Sequence, residues 1–179
     1  LIREWESDLV FSHRPYDYHP DHRNTGLLVQ DAAFMVMVPY FCPDVPAMRK
    51  NPAFFFFPDK FTKPYPFTPT VTVSIDEVFE DKLQALDALE SQVYEGGALG
   101  TPQTRTQRFA DDPKRRINGL RRSWQSRHGS LADRFRDSLD EWYGKEKGRA
   151  VKYVEAFELC EYGAQPSKEQ LRQLFPFFE

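Results

Sequence analysis

Two histidines and a carboxylate stand together in the run His19-Pro20-Asp21-His22, inside the longer segment Phe11-Ser-His-Arg-Pro-Tyr-Asp-Tyr-His-Pro-Asp-His-Arg23. Neutral imidazole is a common metal ligand, and a second imidazole nearby can pass a proton at neutral pH. Pro20 is favoured at the first helical position, where its missing N–H would have had no partner. The spacing therefore puts His19 at an N-cap and His22 one turn further on. Residues three apart on a helix share a face, so the two rings can address one small volume. An isolated His-x-x-His pair also reads as a plain helix start with polar capping residues. The setting favours a site: Asp8-Leu-Val-Phe-Ser12 reads as a short buried strand, and Arg23 to Val38 has helical apolar spacing. Open α/β sheets place ligands at the carboxyl ends of strands, where helices begin.

The elements that must position this run follow from periodicity. Leu27, Leu28, Ala32, Met35 and Val36 form the expected inward stripe of the helix, which Pro39 ends. Four prolines between 39 and 52 make that stretch a loop. Ala53-Phe-Phe-Phe-Phe57 is a continuous apolar run, as in a strand buried on both faces. After a second proline-rich loop, Val71, Val73 and Ile75 alternate with Thr70, Thr72 and Ser74, predicting a strand with one drier face. Asp76 is placed to cap a helix carrying Phe79, Leu83, Leu86 and Leu89, closed by Glu95-Gly96-Gly97. Val151 to Cys160 reads as a late strand, and Ser167-Lys-Glu-Gln170 as a capping box opening a short last helix. Strands alternating with helices predict an α/β fold, Rossmann-like, with a mostly parallel sheet, flanking helices and a basic helical insertion.

That insertion is 101–136. It holds ten Arg or Lys against three acids in a chain whose net charge is −3. The stretch reads as a solvated helix with Leu120, Trp124 and Leu131 turned inward, although a basic patch also suits an anionic partner. It lacks the aromatic interleaving of single-strand nucleic-acid binders, and no nucleic acid is expected. A length of 179 residues fits a single domain, 1–179. No apolar stretch is long enough for a membrane-spanning helix. Cys42 and Cys160 are isolated and match no zinc-ribbon or disulfide spacing, which suits a reducing compartment or simple indifference to redox; a cytoplasmic location is expected. Leu1-Ile-Arg-Glu-Trp-Glu6 reads as the interior of a helix, so a processed chain or a piece of a longer one is expected.

With the Asp-x-His-Pro-Asp-His-Arg run in place, the chain resembles the PIG-L/LmbE-like family of zinc-dependent de-N-acetylases. The likeness continues through Thr25–Val38, Pro39–Pro58, Phe61-Thr-Lys-Pro-Tyr-Pro-Phe67, Lys82-Leu-Gln-Ala-Leu86 with Ser91-Gln92, and Glu155 to Gly163. The resemblance implies an amidohydrolase that releases acetate and a free amine from an N-acetylated, glucosamine-like small molecule, with Zn2+ or another divalent transition metal as cofactor. It implies His22 as a metal ligand and His19 as the group that stabilises the oxyanion or protonates the leaving amine. It implies Asp21 as the carboxylate that orients or charge-tunes such a histidine. Asp17 stands where some members carry an assisting tyrosine, and Glu90 where many carry a histidine before the Ser-Gln pair.

The family's first motif, His-Pro-Asp-Asp, would supply two further ligands and the general base; no such run exists here. A catalytic zinc usually has three protein ligands and an open position. His13 and His128 are the other histidines, and His13 reads as a polar turn residue before it reads as a ligand. The expectation is therefore the carboxy-terminal portion of a larger deacetylase, completed by the N-terminal part of the same protein or by a second polypeptide, with room for a homo-oligomer. The alternative is a non-catalytic binding or regulatory module that retains the back half of the fold.

Overall fold

The structure, a computed structural model, describes residues 1–101 and 113–178. Four strands form one sheet in the order β1-β2-β4-β3: β1 is Leu9–Ser12, β2 Ala53–Phe56, β3 Val71–Ser74 and β4 Val154–Gly163. Among the described residues the helices are α1 (Pro20–Met35), α2 (Phe79–Asp87), α3 (Glu90–Val93), α4 (Pro113–Arg134), α5 (Arg136–Tyr143), α6 (Lys145–Ala150) and α7 (Lys168–Leu174).

The α/β class stands, and the sheet is mixed rather than mostly parallel. β1 pairs with β2 in parallel, while β4 runs antiparallel to both β2 and β3. The reason lies at the end of β3. There Ile75 N–H donates to Tyr153 C=O, and the Asp76 carboxylate accepts the N–H groups of Lys152 and Tyr153. The helices thus return the chain to the end that β3 has just left, and the last strand can only run back. Asp76 is spent on this junction, so it does not cap α2, whose N-cap is Val78 without a side-chain bond.

Strand β2 is buried at every residue, as its unbroken apolar run predicts. Its alternate side chains feed two layers. Phe54 and Phe56 join Cys160 and Ala33 of α1 on one face, and Phe55 joins Phe157, Leu171 and Phe175 on the other. β3 departs from the expected half-dry strand: Thr72 is as buried as Val71, because its hydroxyl donates to Ser138 of α5 at 2.9 Å. The capping box at Ser167 and Gln170 forms as read. Leu1 to Glu6 make turns rather than helix. Arg3 donates from there to the carbonyls of Met35, Val36 and Val38 at the end of α1.

The basic stretch forms α4 from Pro113 onward; its portion 102–112 lies outside the described residues. Leu120 is buried and Trp124 packs against the same cluster, as expected. His128 is also buried on α4, stacked on Trp124 with its Nδ1 2.7 Å from the Val154 carbonyl. Burial is the chief reason its pKa lies below the ordinary 6.5; the Val154 bond opposes this more weakly. As pH falls through 6.5 the unfolded chain takes the proton first, so stability present above that pH is lost on acidification. We expect the fall in Tm between about pH 7 and 5 to be shallower in His128→Gln than in the parent. Parallel curves would show that His128 is not the group responsible.

Candidate metal centre

The sequence builds this site at the carboxyl end of β1. His13 and Arg14 follow the last strand residue, and the chain turns so that Asp17 N–H donates to Arg14 C=O at 3.2 Å. Asp17 then acts two residues on, as Asx residues do in turns: its Oδ1 accepts the His19 N–H at 2.8 Å. His19 is the N-cap of α1, with Pro20 first in the helix as read. The Arg23 guanidinium reaches back to the Asp17 carbonyl at 3.1 Å and closes the turn.

Three imidazoles gather over this turn. His22 Nδ1 lies 3.3 Å from Asp17 Oδ1. The rings of His13 and His22 stack with centroids 4.1 Å apart and planes 7° from parallel. His19 tilts against His22 at 4.7 Å. Burial is the first cause of a lowered pKa at His13, followed by the charge of His22; Asp17 opposes both. A face-to-face imidazole pair favours this neutral state, because two positive rings in contact repel.

Hydrogen bonding assigns the tautomers. His19 Nδ1 accepts the Asp21 N–H at 3.2 Å, so a neutral His19 carries its proton on Nε2. His22 Nδ1 lies 3.3 Å from the Asp17 carboxylate, an ion-pair contact that favours the Nδ1–H tautomer and leaves the lone pair on Nε2. One ring thus offers a donor and its neighbour an acceptor.

The donors fit a divalent transition metal in kind. His13, Asp17 and His22 each offer one ligand atom, and these lie within 4.8 Å of one another. Two imidazoles with a carboxylate resemble hydrolytic zinc sites in composition. Tetrahedral bonds of 2.0–2.1 Å require donors roughly 3.4 Å apart. Stacked rings aim their lone pairs along parallel planes, so one of the two must turn for both to meet one ion.

His19 and His22 therefore come together as the sequence indicated. Asp21 lies at the periphery: its carboxylate is 87% exposed and 3.9 Å from His19 Nδ1, and it is the Asp21 backbone N–H that bonds the ring. Sequence reasoning ranks His13 as a polar turn residue before a ligand and passes over Asp17; the structure brings both against His22. For Asp17 a signal exists, since Asp two residues before an N-cap is an Asx-turn position. For His13 the signal is its place at the end of the strand before the motif, but its approach to His22 depends on how closely α1 lies on the strand end. Gly26 permits that approach: a Cβ there would meet the His13 carbonyl oxygen at 2.6 Å.

Behind the histidines, Arg14 is fully buried and points away from them. It bonds Asp59 Oδ1 at 2.9 Å and the Tyr65 carbonyl at 2.7 Å, lies 3.6 Å from Glu158 Oε2, and sits over the Tyr65 ring. This grip holds the loop from Asp59 to Tyr65 beside the site, where Phe61 faces Tyr18 and Tyr65 faces Tyr16.

No protein-family model matches the chain. Among solved structures, it is similar to GalB, the 4-carboxy-2-hydroxymuconate hydratase of Pseudomonas putida, with a TM-score of 0.54 and 16% identity over 93% of this chain and 57% of that one. It is also similar to N,N'-diacetylchitobiose deacetylase from Pyrococcus horikoshii, with a TM-score of 0.49 and 20% identity over 89% of this chain and 48% of that one. A conserved protein, TT1542, from Thermus thermophilus gives a TM-score of 0.49 and 18% identity over 93% of this chain and 57% of that one. The chain spans about half the length of these structures. The likeness at these identities is one of fold.

Proposed function

We propose that this chain carries the motif-bearing half of a metal-dependent deacetylase acting on a small N-acetylated, amino-sugar-like molecule. The observation that carries the reading is the gathering at one helix mouth of His13, Asp17 and His22, whose ligand atoms lie within 4.8 Å of one another, with the His19 ring tilted against His22. His22 would hold the metal, with His13 and Asp17 within reach, and the remaining donors would come from the N-terminal part of the protein or a second polypeptide. Bound there, such an ion supplies Lewis acidity toward a carbonyl and toward water.

The chain's own residues supply the rest. His19 donates its Nε2 hydrogen bond to the carbonyl oxygen as negative charge gathers there, and in its protonated form can return a proton to the departing nitrogen. Tyr18 stands edge-on to His19, and the loop gripped by Arg14 sets Phe61 against Tyr18, an aromatic surface suited to one face of a sugar ring. The overall change is amide plus water giving acetate plus amine.

A test begins with residues 1–179 alone. With an incomplete ligand set they should release zinc readily to a chromogenic chelator and release no acetate from N-acetylglucosamine derivatives. The complete protein should hold zinc stoichiometrically and turn over. Because the fold is shared with a protein described as a hydratase, unsaturated carboxylates belong in the same assay. Hydration of these without any deacetylation by the complete protein would overturn the substrate assignment, and a complete protein that holds no metal would overturn the mechanism.

A further inference from the structure

We infer that Asp17 is a positioning residue, whose single oxygen Oδ1 sets both functional histidines: it fixes the His22 tautomer through Nδ1 and the His19 N-cap through the backbone. This rests on His22 being the metal ligand, and it decides between two uses of Asp17 that the cluster permits.

The geometry favours holding over ligation. Oδ1 already receives the His19 N–H at 2.8 Å and lies 3.3 Å from His22 Nδ1. The Asp17 backbone is fixed as well, by its N–H to Arg14 C=O and by the Arg23 guanidinium on its carbonyl. The side chain is only 12% exposed, against 41% for His22, so the ring and not the carboxylate faces outward. A carboxylate on the far nitrogen of a metal-binding imidazole is a common support: it fixes ring orientation, leaves Nε2 as the ligand atom and raises its basicity. The same oxygen ties the N-cap to that imidazole, so the positions of His19 and His22 are coupled through one atom. No carboxylate within the His-Pro-Asp-His run does this, since Asp21 points outward.

Asparagine separates the alternatives, because its carbonyl oxygen accepts both hydrogen bonds but is a poor ligand. In the complete protein, metal-free and 15N-histidine-labelled, His22 should show the Nδ1–H tautomer in the parent and in Asp17→Asn, and a mixture in Asp17→Ala. Competition with a chromogenic chelator should then give Co2+ affinity within about tenfold of the parent for Asp17→Asn, and a loss of about 10- to 100-fold for Asp17→Ala. An Nε2–H tautomer for His22 in the parent would overturn the inference, and so would equal, severe metal loss in both variants. Should Asp17→Ala fail to fold, the parent and Asp17→Asn spectra still decide. A parent with the Nδ1–H tautomer but no measurable Co2+ affinity would sink the metal reading while leaving the Asp17 geometry intact.

Discussion

His22→Ala is expected to empty the metal site of the complete protein, whereas His19→Ala keeps the metal and loses rate. The two rings are neighbours, 4.7 Å apart, yet His19 Nδ1 accepts a backbone N–H while His22 Nδ1 lies against the Asp17 carboxylate. Removing His22 takes away a lone pair whose direction the Asp17 carboxylate has fixed, and no other imidazole can replace it without turning, since His13 is stacked flat against it. Removing His19 takes away a donor aimed at developing negative charge and a route for the proton, each worth about a hundredfold or more in rate. Metal content by atomic emission and acetate release, measured on both variants, should therefore separate. If His19→Ala empties the site while His22→Ala retains metal, the roles are reversed and the likeness to de-N-acetylases does not carry over to these residues.

Arg14→Met should be the most damaging substitution for stability outside the hydrophobic core. The guanidinium is wholly buried, and its two acidic partners are nearly so, at 10% and 13% exposure. Burial already pushes the Glu158 carboxyl above its usual range, with the Arg14 charge holding it down. Taking one partner from a buried ionic group leaves uncompensated charge and costs about 3–5 kcal/mol. For a domain of this size that is a fall in Tm of roughly 6–20 °C. Adding Glu158→Gln to Arg14→Met should recover part of the loss, because it removes one of the stranded carboxylates. A single-mutant shift of a degree or two, or a double mutant less stable than the single, would show that the cluster is not held by Arg14.

Much of this is legible in the sequence, for reasons that can be named. Pro20 and its capping neighbour act through local backbone chemistry, and α1 starts where they require. The phenylalanine run of β2 and the Ser167 capping box are local signals too. What the sequence hides is long-range. Apolar spacing puts the inward stripe of α1 at Leu27, Leu28, Ala32, Met35 and Val36; Val36 is buried as expected, but Leu27 and Leu28 are exposed and Gly26 and Ala33 take the buried line. Spacing alone counts apolar side chains and cannot anticipate a helix that lies so near the strand end that its contact residue must have none. Asp76 has the chemistry of a cap and is drawn instead to the backbone leading into β4, 76 residues away. The sheet's direction is hidden for the same reason, since nothing local announces that the last strand enters between two earlier ones. Asp17 escapes notice because Asp21, the carboxylate inside the motif, is the more obvious candidate.

Gly26 carries one more consequence. Helix and strand end meet there through backbone, main chain against main chain, so the separation of His13 from His22 is set by peptide geometry and not by how side chains happen to fill a gap. The outer surface of α1, with Leu28 and Phe34 in the open, is free to drift in composition while the two rings keep their spacing. A single added methyl at position 26 is the smallest change that would pry them apart. The tolerance of this helix to substitution is thus lopsided: broad along its exposed face, and absent at Gly26.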